Sequence, residues 1–103
     1  MKSKSKILWV DDEIESLRPH ILYLEKKGYI MKYVSSGNDA IALCKKESFD
    51  LVLLDEMMTG LDGLSTLKLI KEINSSIPII MITKNEEEWL MEEAIASQIS
   101  NYL

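Results

Sequence analysis

The stretch Leu51-Val52-Leu53-Leu54-Asp55 constrains the fold more than any other part of this 103-residue chain. Four apolar residues run without a polar break into a carboxylate. A run so short and continuous fits a strand buried on both faces, which a parallel sheet covered by helices requires. The segment after it holds the turn formers Gly60, Asp62 and Gly63. In open α/β sheets, ligands sit in the crevice beyond the C-terminal ends of the strands. Asp55 is therefore expected at the edge of such a crevice.

Strand and helix patterns alternate along the rest of the chain. Lys6 to Val10 is an apolar strand ended by Asp11 and Asp12. Ile14, Leu17, Ile21 and Leu24 then recur at three- and four-residue spacing, one face of a helix that Gly28 stops. Pro19 lies inside this pattern. It either kinks the helix or marks its first regular turn after a looser lead-in from Asp12 to Arg18. Tyr29 to Val34 reads as a second strand, and Lys32 within it suits a sheet edge. Ser35-Ser36-Gly37-Asn38-Asp39 is a turn with N-cap candidates. A second helix follows, burying Ala40, Ile41, Leu43 and Cys44.

Phe49 to Leu54 is the third strand. Gly63 opens a third helix with a stripe of Leu64, Leu67, Ile70 and Ile73, ended by Asn74-Ser75-Ser76. Pro78 precedes a fourth strand, Ile79 to Ile82, which ends at Thr83. Asn85 and Glu88 have capping-box spacing. The helix they open carries Leu90, Met91, Ala94, Ile95 and Ile99. Asn101-Tyr102-Leu103 reads as the start of a fifth strand. This alternation predicts an α/β fold: a doubly wound parallel sheet with helices on both faces, in one domain over residues 1–103.

Charge and composition exclude several functions. The formal net charge of -5 disfavours phosphate backbones and anionic membrane surfaces as partners. No apolar run approaches the roughly 20 residues that span a bilayer. The basic start, Met1 to Lys6, is followed by only Ile7 to Val10, too short for a signal-peptide core. A single cysteine, Cys44, allows no internal disulfide and reads as a small core residue. A soluble cytoplasmic protein is expected. His20, the lone histidine, reads as a surface residue. Trp89 reads either as packing at a helix rim or as part of a partner-binding surface.

Three of the predicted strands end in Asp11-Asp12, Asp55 and Thr83, and in this architecture those ends lie side by side. Carboxylates brought that close repel one another, and a hard divalent cation relieves the repulsion. Mg²⁺ takes oxygen ligands, one or two of them carboxylates, beside water and phosphate oxygens. A carboxylate next to such a metal can attack phosphorus and form an aspartyl phosphate. Mg²⁺-assisted phosphoryl transfer onto Asp55 is the chemistry expected of such a crevice. Glu13 reads as a first-turn acid favoured by the helix dipole.

Four blocks carry a wider resemblance: Val10-Asp11-Asp12-Glu13; Leu54-Asp55 with Met57-Met58, Gly60 and Asp62-Gly63; Ile82-Thr83; and Asn101-Tyr102-Leu103. Over its whole length the chain resembles the receiver domains of two-component response regulators, which are CheY-like. The resemblance implies a flavodoxin-like sheet of order 2-1-3-4-5, with the last strand truncated here and the fifth helix absent. It implies Asp55 as phosphoacceptor and Asp12 as a direct Mg²⁺ ligand. Asp11 would bind the metal mostly through water, and the Met57 carbonyl would be the third protein ligand. Thr83 would donate its hydroxyl to the phosphoryl group, and Tyr102 would be the aromatic that turns inward when Thr83 moves. The implied partners are a sensor histidine kinase, an output domain on the same polypeptide and a second receiver met through the face of the fourth helix and fifth strand. Such a domain is a signalling module and not an enzyme.

The departures from the family pattern are specific. Thr59 stands where the family usually has proline, so the loop after Asp55 is expected to be less rigid. Lys84 follows Thr83 where a small residue is usual. Gln98 and Ile99 replace the usual Gly-Ala. The family lysine that binds the phosphoryl group would fall two residues past Leu103, so the chain reads as a fragment of a longer protein. Arg18-Pro19-His20, the run from Ile82 to Glu88 and the stretch around Leu43-Cys44 resemble receivers attached to PglZ-type output domains. Two other functions compete. A pseudo-receiver would keep the fold as an interaction module without signalling by phosphate. An aspartyl-phosphate hydrolase would need a second acid two residues after the nucleophile, where this chain has Met57.

Overall fold

Four strands, β1 (Lys6–Val10), β2 (Ile30–Val34), β3 (Leu51–Asp55) and β4 (Ile79–Ile82), pair in parallel in the order β2-β1-β3-β4. The computed structural model describes residues 4–82, 97, 99 and 101–103. Between the strands run a 3-10 turn (Ile14–Leu17) continuing into α1 (Arg18–Lys26), then α2 (Gly37–Lys46) and α3 (Gly63–Ile73). All of β3 is buried, as its unbroken apolar run requires. Lys32 and Tyr33 are exposed on β2, which occupies an edge of the sheet.

The two faces of the sheet bury two separate cores. On one face Ile7, Trp9, Leu51, Leu53, Ile80 and Ile82 pack with Ile14, Leu17, Ile21 and Leu24, and with Ile99. On the other, Leu8, Val10, Val52 and Leu54 pack with Ala40, Phe49, Met58, Ile70 and Ile77. Strand alternation sends successive side chains to opposite faces, so one continuous apolar run feeds both layers. Each fully buried Leu, Ile or Val contributes about 1.5–3 kcal/mol. Side chains cap the starts of α2 and α3, the first within the turn expected to supply a cap. The Ser36 side chain accepts a bond from the Asp39 amide, and the Asp62 side chain accepts one from the Ser65 amide.

The structure chooses between the two readings of Pro19. It sits in the first turn of α1, after the 3-10 turn, where its missing N–H costs nothing. Three expectations are corrected. His20 is buried, not on the surface; its ring lies 6.5 Å from that of Trp9, tilted by 38°. Positions 17, 20, 21 and 24 form one helical face, so His20 falls on the core stripe beside Ile21. In α3 the buried positions are Gly63, Thr66 and Ile70, while Leu64 and Ile73 are exposed. Of the expected stripe, Ile70 is buried and Leu67 packs partly buried against the same core, so the departure lies at Leu64 and Ile73, with Gly63 and Thr66 taking the inner face.

The third correction concerns the expected fifth strand. Asn101 and Tyr102 are helical, and the Leu103 amide bonds to the Ile99 carbonyl at 2.9 Å. That local bond satisfies a donor that a strand would have to pair across to β4. Among the described residues β4 pairs only with β3. The expectations for Thr83, Lys84, Asn85 to Glu88, Trp89 and Leu90 to Ile95 lie outside the described residues.

Candidate metal centre

Strand register builds this site. Val10 pairs with Leu54, and Asp55 pairs with Ile82, so β1, β3 and β4 end level with one another. The two residues following β1, Asp11 and Asp12, are thereby delivered beside Asp55. One carboxylate oxygen from each of the three lies within 4.8 Å of the others. Asp11 and Asp55 are 1% and 0% exposed, and Asp12 is partly buried. Two oxygens bound to one Mg²⁺ can stand at most about 4.2 Å apart, so a cluster lying within 4.8 Å need contract only slightly to close on the ion. Its donors are hard carboxylate oxygens, as Mg²⁺ requires. Asp12 lines two open grooves, of about 630 and 540 Å³, so the cluster is reachable from solvent.

Each acid is oriented by a backbone donor. The Glu13 amide donates to Asp11 Oδ1 at 2.8 Å. The Met57 amide donates to Asp55 Oδ1 at 3.1 Å. Both are local turns in which the side chain bonds its own backbone two residues on. For Asp12 the donor comes from across the site: the Thr59 amide bonds Asp12 Oδ2 at 3.1 Å, and Thr59 Oγ1 approaches the same oxygen at 3.4 Å. The Glu56 amide bonds the Ile82 carbonyl at 3.0 Å, continuing the sheet one residue past Asp55.

The loop from Glu56 to Asp62 reverses through Gly60, whose φ of 76° favours glycine. It then enters α3 at Gly63. A Cβ on Gly63 would lie 2.4 Å from the Asp55 carbonyl oxygen, so only glycine lets the helix start so close to the strand end. The bond from the Ser65 amide holds the Asp62 carboxyl below its ordinary range and fixes the helix start.

Of the residues singled out in the sequence, Asp11, Asp12 and Asp55 come together as expected. Met57 adjoins them through its amide, and its side chain is 71% exposed. Tyr102 is exposed in a helical stretch and not on a fifth strand. Thr83 lies outside the described residues. Two residues were undervalued by the sequence reading. Thr59, expected to loosen its loop, makes a backbone bond that proline, having no N–H, could not make. Gly63, expected as a turn and helix-start residue, is also the point of close backbone approach between α3 and the end of β3.

Comparison with known proteins agrees with the geometry. The family model described as the response regulator receiver domain matches residues 7–103. The chain is 41% identical over 86 residues to the transcriptional regulatory protein ResD of Bacillus subtilis, covering 84% of this chain and 35% of that one. It is 36% identical over 103 residues to the transcriptional regulatory protein ZraR of Salmonella typhimurium, covering 100% and 23%. The chain thus spans roughly a quarter to a third of these curated relatives. Among solved structures, the chemotaxis protein CheY4 of Vibrio cholerae superposes with a TM-score of 0.85 at 21% identity, covering 98% of this chain and 100% of that one. The N-terminal domain of a response regulator receiver protein from Methanoculleus marisnigri gives 0.74 at 29% identity, covering 92% and 96%.

Proposed function

The chain belongs to the response regulator receiver domain family, and from that premise we propose that Asp55 accepts a phosphoryl group in a Mg²⁺-dependent reaction. The observation that carries the reading is the convergence of Asp11, Asp12 and Asp55 within 4.8 Å at adjoining strand ends. Receiver domains are signalling modules that bind Mg²⁺ at an acidic pocket. In this proposal Asp12 and Asp11 hold the ion here, with the Met57 carbonyl as a third protein ligand. When bound, the ion neutralises charge on the phosphoryl oxygens.

The remaining work falls to the chain's own residues. The Met57 amide fixes the rotation of the Asp55 carboxylate. An Asp55 oxygen attacks phosphorus while the phosphorus–nitrogen bond of a sensor kinase phosphohistidine breaks. The imidazole leaves with the electron pair and takes up a proton. Thr83 donates its hydroxyl to the phosphoryl group, and Tyr102 moves in response. The change is read by an output domain on the same polypeptide, as the transcriptional regulators among the relatives encourage, and by a second receiver docking on the face of the fourth helix. The proposed reaction is a cytoplasmic one, where a kinase and Mg²⁺ would be at hand. Among the described residues no helix is long and apolar enough to cross a membrane.

The test is incubation of the purified intact-length protein with phosphoramidate and Mg²⁺. A hydroxylamine-labile phosphate that Asp55→Asn abolishes supports the reading. No incorporation under conditions where the chain is folded and binds Mg²⁺ overturns it in favour of an interaction module.

A further inference from the structure

We propose that Thr59 is a positioning residue for the metal centre, holding the Asp12 carboxylate so that the acidic cluster is set before a divalent cation binds. The inference deepens the Mg²⁺-dependent reading above and rests on it. Asp12 and Thr59 are 47 residues apart, and their bond joins the loop after β1 to the loop after β3. Both Thr59 donors converge on a single oxygen, Oδ2, at 3.1 Å from the amide and 3.4 Å from the hydroxyl.

Asp12 differs from the other two acids. Asp11 and Asp55 are recessed, and each is turned by the amide two residues further on. Asp12 is only partly buried, lines both grooves, and takes its orienting donors from the opposite loop. Holding it costs side-chain entropy, which Thr59 offsets before the ion arrives. A carboxylate has about four lone-pair sites, so Asp12 can accept from Thr59 and still bind a metal.

Outer-shell partners of this kind contribute about 10- to 100-fold to metal affinity. The amide bond has ordinary geometry, whereas 3.4 Å is long for a hydroxyl donor. The amide therefore carries most of the effect. That places the role on the backbone of residue 59, and a proline could not perform it.

The experiment is calorimetric titration of the chain with MgCl₂, comparing wild type, Thr59→Ser, Thr59→Ala, Thr59→Pro and a semisynthetic chain whose residue-59 amide is an ester. Thr59→Ser is expected to match wild type, and Thr59→Ala to lose less than about threefold. The proline and ester chains are expected to lose about tenfold, the lower end of the outer-shell range. Thermal midpoints in EDTA should stay close to wild type, since the effect lies in metal binding. Proline or ester chains that fold and bind Mg²⁺ as tightly as wild type, or more tightly, overturn the inference. If the proline chain fails to fold, the ester chain decides. A wild-type chain that takes up no Mg²⁺ overturns the metal-centre reading itself, a result distinct from unchanged affinity in the variants.

Discussion

Gly63 sits against the Asp55 carbonyl so closely that a Cβ there would lie 2.4 Å from the oxygen and 3.0 Å from the Glu56 Cα and carbonyl oxygen. All three contacts are backbone, which cannot swing aside as a side-chain tip can. The start of α3 and the end of β3 are thereby locked to one another. Gly63→Ala is expected to destabilise the fold by about 1–3 kcal/mol, the usual cost of overpacking a tight site. Urea unfolding checks this, and wild-type stability in the variant would show that the contact can relax.

The same junction sets an acid dependence. The Ser65 amide lowers the Asp62 carboxyl, so the ionised cap stabilises the folded chain at pH values above the ordinary aspartate range. This contribution is lost as pH falls from the ordinary value of 3.8 through the lower folded value. Asp62→Ala should lower the thermal midpoint at neutral pH. The gap from wild type should close as pH falls through that window. A gap independent of pH would contradict the assignment.

In the core, Leu53 is fully buried on the face shared with α1. Leu53→Ala should cost about 2–5 kcal/mol by denaturant unfolding, through lost burial and the cavity left behind. A loss under about 1 kcal/mol would mean that the face can collapse around the gap.

Metal binding should appear as stability. An ion that binds only the folded chain at 100 times its Kd adds about 2.7 kcal/mol. Saturating Mg²⁺ should therefore raise the thermal midpoint, and EDTA should reverse the rise. Asp12→Asn should remove most of it. In metal-free buffer the same variant should be no less stable than wild type, because it relieves repulsion with Asp11 and Asp55. An equal Mg²⁺ response in wild type and variant would remove Asp12 from the site.

Most of the fold was legible because its strands are marked by local chemistry. The Leu51 to Leu54 run and the acids ending β1 and β3 fixed the parallel sheet and put three carboxylates at one edge. Failures came where tertiary contact, not periodicity, decides. His20 is buried because it meets Trp9 across the sheet face, a pairing no local pattern reveals. The face of α3 is turned by Thr66 lying against Gly37, where a small residue admits close helix approach, so Leu64 is left exposed. The Asp12–Thr59 bond joins loops 47 residues apart, and a threonine in a turn gives no hint of its acceptor.

Borohydride reduction reads out which carboxylate receives the phosphoryl group. Borohydride reduces an acyl phosphate to an alcohol, converting a phosphorylated aspartate into homoserine that tandem mass spectrometry can locate. Homoserine is expected at position 55 alone, and only when phosphodonor and Mg²⁺ are both present. Homoserine at position 11 or 12 instead, or at none of the three, would contradict it.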